Sequence, residues 1–320
     1  MYSPNFRRIF PLPIMLLAWC ASPGLALAQA NATAPAARDT QYVYHAAGLT
    51  FKTARYLEGS KYGLVGNGRA DNTRAFQALL GSGNRTIHIA AGTYVTGKLQ
   101  IPADTVLLLD RGVVIKDSGR LGPHDRLINI LHDNVYIRGI GARVMSDRNF
   151  YHGGEQRHGV FIQSASNVVI DGLDSSGNSG DGFYIGGGGG APPARNITLE
   201  NCTASHNRRN GLSIVSGINV TVRNCTFAYT RGTAPQFGVD LEPDMPRDPL
   251  TNIRLIDVRT VDNASGGLSI VLGPAYRPPE PISIDIVNHT SVGENPPFHT
   301  RIVARVAGTI IYNGRKTVTP

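Results

Sequence analysis

The 320-residue chain carries 37 glycines and only 7% aromatic side chains, and its short Val/Ile/Leu/Thr/Asn runs describe many brief strands joined by tight turns rather than helices. Its formal net charge of +8 comes from scattered Lys and Arg, which is compatible with an anionic partner but excludes a nucleic-acid patch built on a basic run. Past residue 30 no apolar run approaches the ~20 residues needed to cross a bilayer, so stable membrane insertion is excluded as well.

The opening MYSPNFRRIFPLPIMLLAWCASPGLALAQA has the three parts of a secretory signal: Arg7 and Arg8, the apolar run around Ile14–Trp19, and the small-x-small triplet Ala26-Leu27-Ala28. Lipid attachment at Cys20 is disfavoured by bulky Trp19, where a small residue is expected. The reading is a signal peptide over 1–28, cleaved near Ala28 or Ala30, and a secreted or periplasmic product. An N-terminal extension over 29–60 follows.

The next elements are YGLVGNGRADNTRAFQALL (62–80) and TIHIAAGTYVTGKL (86–99). This pair resembles the opening of the pectate-lyase superfamily, whose pattern runs Y/F-G-A-x-G-D-G-x-T-D-D-T-x-A-I-Q-x-A. The resemblance implies an all-β, single-stranded right-handed parallel β-helix over about 61–300, with Thr73–Leu80 as a short helix capping its first coil. Asn67 and Asn72 stand at acidic positions of that pattern while Asp71 is kept. Capping is structural work, so Asp71 is expected not to be catalytic.

Further along, DNVYIRGIGA (133–142), SNVVIDGLDSS (166–176), RNITLENCTAS (195–205), INVTVRNCTFA (218–228) and TNIRLIDVRTV (251–261) align on Asn134, Asn167, Asn196, Asn219 and Asn252. The separations of 33, 29, 23 and 33 residues, with strand-like content, indicate a solenoid of β-rungs in which Asn turns a corner. A second column reads HGVFIQ (158–163), DGFYIG, NGLSIV, FGVDLE and GGLSIV. Alternation sends Val160, Phe183, Leu212, Val239 and Leu268 inward, and Phe161, Tyr184, Ser213, Asp240 and Ser269 outward. His158, at the head of this column, reads as a surface histidine. Cys202 and Cys225 share one inward column on adjacent rungs, either as a disulfide or as two buried thiols. RIVARVAGTIIYNG (301–314), within the tail 301–320, reads as a last strand pair closing the far end.

One rung alone is acidic: FGVDLEPD (237–244) places Asp240, Glu242 and Asp244 where its neighbours carry serine. Asp240 and Glu242, two apart on one strand, have Cα atoms roughly 6.5–7 Å apart. That overlaps the ~6.5–9.5 Å carboxyl spacing of inverting glycosidases. Two carboxyls so close split their titration, and they form the candidate catalytic pair. Asp244, with Asp240 and Glu242, could complete an oxygen-ligand site for calcium. Stacking supplies the candidate substrate-binding residues Tyr184, His206, Arg208, Arg209, Asn210, Arg231 and Asp262.

Members of the resembled superfamily mostly act on polysaccharides, many uronate-rich. FGVDLE is also similar to the YGFDPH-type segment of mannuronan C-5 epimerases, which implies the role of their catalytic aspartate for Asp240, although Leu241-Glu242 replaces the Pro-His. The Asn-Thr-Asp, Gly-His-Gly and Arg-x-Lys motifs of polygalacturonases are not intact. The expectation is therefore an exported, monomeric carbohydrate-active enzyme, a polysaccharide lyase or glycoside hydrolase acting on an acidic polysaccharide. The alternatives are a C-5 epimerase-like enzyme or a non-catalytic polysaccharide-binding β-helix.

Overall fold

The computed structural model describes residues 41–151, 153–187 and 190–318; the expected signal peptide lies outside them. Among these residues the chain winds through three sheets of eleven, nine and eight strands, with each successive coil adding one strand to each sheet. The first sheet runs from Arg55–Glu58 to Arg315–Val318, the second from Asn67–Asp71 to Thr290–Val292, and the third from Leu99–Ile101 to Phe298–Ile302. Pairing within them is parallel, except that Arg315–Val318 runs antiparallel to Gly308–Tyr312.

The coil is held by like stacking on like. In the first sheet Ile137, Ile170, Leu199, Val222, Leu255 and Ile286 lie in one register column, all buried. Strands ~4.8 Å apart keep each such side chain in contact with the next, so one continuous core fills the coil. Cys202 and Cys225 lie in this core as free thiols.

The aligned asparagines turn the corner into the first sheet. Asn134, Asn167, Asn196, Asn219 and Asn252 all have φ between 53° and 61°. The amide of each of the last four donates to the Oδ1 of the asparagine one coil earlier at 2.9–3.0 Å. Asn tolerates this left-handed backbone and its side chain satisfies the next copy, which is why the residue recurs. The glycine that recurs at the start of five third-sheet rungs has a steric cause: a Cβ on Gly211 would lie 2.5 Å from the carbonyl oxygen of Gly238, and one on Gly238 2.8 Å from that of Gly267.

Both ends are covered. The helix α1 (Thr73–Leu80) sinks Phe76, Leu79 and Leu80 into the open end, with Phe76 edge-on to Tyr94 at 5.9 Å. Asp71 Oδ1 accepts the Thr73 N–H at 2.9 Å, and the Asn72 side chain bonds the backbone of Val65 and Ala70. The motif at 62–80 is thus a capping device, as expected. At the other end Ala304 and Val306 are buried against the core, and Phe298 stacks on Tyr312 at 4.2 Å.

The N-terminal extension is itself ordered from residue 41. Strands Tyr42–Ala46 and Leu49–Thr53 form an antiparallel hairpin whose turn residues Ala47 and Gly48 both have positive φ, the twist that suits a two-residue hairpin. Its Phe51 packs on Tyr136, Val106 and Val169 of the first sheet's outer face. The first rung strand, Arg55–Glu58, also begins before residue 61.

Beside that first rung, His88 lies between two carboxylates, 2.7 Å from Glu58 and 2.9 Å from Asp110. Hydrogen bonds donated to Asp110 and then to Glu58 raise the imidazole above its ordinary 6.5, and the His88 contact lowers Glu58 below 4.5. The His88 contribution to stability is present below pH 6.5 and lost as pH rises through its raised value; the Glu58 contribution is lost as pH falls through its lowered one. The melting temperature of His88→Gln is expected to trail the parent most between pH 4.5 and 6.5. The gap should close by pH 9, and a pH-independent gap would refute this ion pair.

Candidate active site

The outer face of the third sheet carries one register column: Gln100, Asn129, Phe161, Tyr184, Ser213, Asp240, Ser269 and His299. Loops rise beside it. Those before the strands bring Arg126, Glu155, Gln156 and Arg209, and the loop after Phe237–Leu241 brings Asp244. Together with Phe161, Gln163 and Tyr184 they line a polar cleft of about 410 Å³.

The loop carrying Arg209 is fixed from below. Asn207 is fully buried at the corner between the second and third sheets; its Oδ1 accepts the Asn178 N–H at 2.9 Å and its amide donates to the Ser175 carbonyl. Two residues on, Arg209 Nη1 reaches Asp181 Oδ2 at 3.0 Å and Ser213 Oγ at 3.1 Å. Its Nε lies 3.6 Å from Glu155. The charge of Asp181, then those of Asp240 and Glu155, keep the guanidinium more firmly protonated than usual.

A chain of hydrogen bonds connects this arginine to the acidic strand. Asp181, wholly buried, accepts from Arg209, from the Ser213 hydroxyl at 2.9 Å and from the Asn210 N–H at 2.9 Å. The Asn210 amide donates to Ser213 Oγ at 3.0 Å and reaches Asp240 Oδ2 at 3.4 Å. Asp240 Oδ1 is buried with no partner at hydrogen-bonding distance.

Asp240 does point out of the coil, but the side chains around it leave it only 2% exposed. Burial first, and the charge of Glu242 second, push its carboxyl up to about 7, against the pull of Arg209 and Ser269. A strongly displaced acid with a stated charge partner beside a cleft is the signature of a functional group. Glu242 is half-buried at the strand's end.

Tyr184 and Asp244 meet in the cleft, the phenol donating to Asp244 Oδ2 at 2.6 Å. Burial and the Asp244 charge hold that phenol protonated. His158 is not at the surface: it is fully buried, stacked on Tyr184 at 4.9 Å, and its Nδ1 accepts the Asp181 N–H at 3.0 Å. Burial pushes it down to about 4, so it is a neutral imidazole with its proton on Nε2.

Tyr184, Arg209, Asn210 and Asp240 are thus brought together around the cleft, with Asp244 on its wall. Four other expected residues lie away from it, at the corner between the second and third sheets. His206 lies tilted against exposed Tyr229, Arg208 ties the Tyr151 carbonyl and Thr233, and Arg231 pairs with Asp262 at 3.0 Å. They depart because the chain turns there before entering the third sheet, so proximity in sequence to Arg209 does not put them on its face. The expected cation set is not formed either. Asp244 is committed to Tyr184, and among the described residues no three acidic, His or Cys side chains converge as metal ligands. Glu155, Arg126 and Gln163 were not found from sequence, since they belong to no repeat column or to a non-acidic one; the available signal was the 33-residue spacing of Asn134 and Asn167, ten more than the shortest coil.

The fold and the family agree. Residues 111–275 match the right handed beta helix region family, and the chain belongs to that family. Relatives include the pre-neck appendage protein of Bacillus phage phi29, 26% identical over 78% of this chain and 31% of the relative. Among solved structures, the iota-carrageenase of family GH82 from A. fortis superposes with a TM-score of 0.61 at 17% identity, covering 77% of this chain and 57% of that one. The tailspike gp49 of Acinetobacter baumannii bacteriophage Fri1, a capsular polysaccharide depolymerase, gives 0.59 at 17%, covering 78% and 48%. Structural neighbours thus include polysaccharide-degrading β-helix enzymes and phage tailspike proteins, at identities that speak for the fold alone. The chain spans less than half the length of the curated relatives it matches. Among the described residues no helix is long and apolar enough to cross a membrane.

A buried acid of this kind works against folding once ionised. Because the folded protein holds its proton more tightly than the unfolded chain, Asp240 favours folding below its ordinary 3.8 and loses that advantage as pH rises through about 7. A displacement of about three pH units corresponds to roughly 4 kcal/mol. Asp240→Asn is expected to raise the unfolding free energy at pH 8 by roughly 1–4 kcal/mol and to leave it nearly unchanged at pH 4, as read by urea denaturation; a destabilised variant at pH 8 would contradict the burial of this charge.

Proposed function

We propose that the chain is an exported enzyme that hydrolyses a polysaccharide laid along the outer face of the third sheet, with Asp240 as general acid and Glu242 as general base. The observation that carries this reading is the Asp240 carboxyl, pushed up to about 7 beside Glu242 and next to a polar cleft. It still holds a proton near neutrality, which a general acid requires.

In the reaction, the Asp240 carboxyl gives its proton to the glycosidic oxygen as the bond from that oxygen to the anomeric carbon breaks. Water attacks the same carbon, and Glu242 takes the proton that the water sheds. The products are one new reducing end and one released hydroxyl. Asp240, now a carboxylate, recovers a proton from solvent as Glu242 returns its own. Arg209, Asn210 and Ser213 hold the acid's surroundings in place through the hydrogen bonds to Asp181.

Elimination and epimerisation both need a free base to remove a proton from carbon. Among the neighbours that are not carboxylates, Tyr184 is held protonated, Arg209 is held charged, and neutral His158 is sealed beneath the sheet face. The acid-base work is left to the carboxyl pair Asp240 and Glu242, the pairing that glycoside hydrolysis uses, and this supports the hydrolytic reading.

The test is to incubate the purified protein with a panel of polysaccharides while following reducing ends and the ultraviolet absorbance of unsaturated products together. Reducing ends alone are expected to rise, with a rate that declines above about pH 7 as Asp240 ionises. Asp240→Asn should lose at least ~10²-fold in kcat, the lower end of what a general acid contributes. Unsaturated product would replace hydrolysis by elimination, and full activity in Asp240→Asn would remove Asp240 from the mechanism.

A further inference from the structure

Two arginines line the cleft, and they are in different electrostatic states. Arg209 is neutralised by Asp181 at 3.0 Å and by Glu155 at 3.6 Å. Arg126 has no such partner: among the described residues no carboxylate lies within 4 Å of its guanidinium. Nη2 donates to the Gln156 side-chain oxygen at 2.5 Å, Nη1 donates to the His124 carbonyl, and the planar group lies over the Phe161 ring, 4.4 Å from its centre. The nearest acid in sequence, Asp125, is turned away, bound to Lys98 at 2.8 Å and to the Gly122 N–H at 2.9 Å. Buried Nε has no hydrogen-bond partner.

The cleft is therefore polarised along the coil axis. Its N-terminal end holds an uncompensated cation on an aromatic ring, and its C-terminal end holds Asp244, which follows Asp240 and Glu242 on the acidic rung. A partly desolvated guanidinium is stabilised by an anionic oxygen, and its fork of donors suits carboxylate and sulfate oxygens. An anionic group placed at the acidic end would instead meet like charge. From Phe161 to Asp240 there are three strand spacings, about 14 Å.

We infer that Arg126 is a specificity-determining residue that binds an anionic substituent of the polysaccharide, a carboxylate or a sulfate, at a subsite about 14 Å from the cleaved bond towards the N-terminal end of the coil. The inference rests on the cleft being the polysaccharide site proposed above and adds which charge the chain carries and where along it that charge is read. Arg126 acts in binding, being too distant from Asp240 to touch the reacting atoms.

The experiment compares the parent, Arg126→Gln and Arg126→Lys on polygalacturonate, iota-carrageenan and neutral dextran, with thermal melts to confirm folding. Arg126→Gln is expected to raise KM on the anionic substrate that is turned over by roughly 10-fold, the effect of one charge-assisted hydrogen bond, with a smaller change in kcat. Arg126→Lys should recover part of the loss. The carboxylated and sulfated arms distinguish the two anions. An unchanged KM in Arg126→Gln on an active anionic substrate, or turnover confined to dextran, overturns the inference while leaving the hydrolytic reading standing. If no substrate is turned over, that reading fails separately, and gel retardation in the same polysaccharides decides the inference. Retardation by an anionic polysaccharide that is weakened in Arg126→Gln upholds it; equal retardation, or none, overturns it.

Discussion

Parallel, in-register stacking is the constraint on which the rest of the molecule depends. Once each strand must lie ~4.8 Å from its copy on the previous coil, every side chain inherits the environment of the one beneath it. Apolar positions become continuous columns, such as Ile137 through Ile286, and corner positions become ladders, such as Asn134 through Asn252. Chain that does not fit the ladder has to leave at a corner. The walls of the cleft are that surplus chain, and its floor is the ladder itself.

The sequence made the ladder legible and left the walls obscure, and the reason is physical. A column needs the same kind of residue at each copy, so Val160, Phe183, Leu212, Val239 and Leu268 announce their inward face through repetition alone. Asp240 stood out because it breaks its column. A wall residue has no copy to be compared with: Glu155 belongs to one long connection, and its approach to Arg209 depends on how that connection folds back. The same limit explains His206, Arg208, Arg231 and Asp262. Their place in the chain was correct, but the turn into the third sheet falls between them and the cleft, and a period alone does not say on which side of a corner a residue lies. The burial of His158 was hidden for a similar reason, since one of the two rings that cover it, Tyr184, comes from the next copy of its column, while Phe161 comes from its own.

The cleft also shows where the molecule departs from the economy of the coil. In the column that carries Asp240 the other outward side chains are amides, hydroxyls or rings, but here Asp181 and Asp240 are taken out of water and Arg209 is largely so. A buried ion pair such as Asp181–Arg209 is a weak source of stability, because desolvation offsets most of the attraction. Its evident service is geometric: with Ser213 and Asn210 it ties the loop at 206–211 to the sheet through four hydrogen bonds. Asp240 sits at the end of that arrangement, buried beside the cleft with one oxygen unsatisfied.

The antiparallel strand Arg315–Val318 has a consequence for association. A parallel stack is in principle endless, since its last strand offers the same row of amides and carbonyls as its first and could template another molecule. Reversing direction at the edge replaces that row with one of different hydrogen-bond spacing, and the exposed Arg315 and Lys316 add charge that a neighbouring edge would have to desolvate. At this edge of the first sheet, the reversal disfavours parallel pairing with a second copy of the coil.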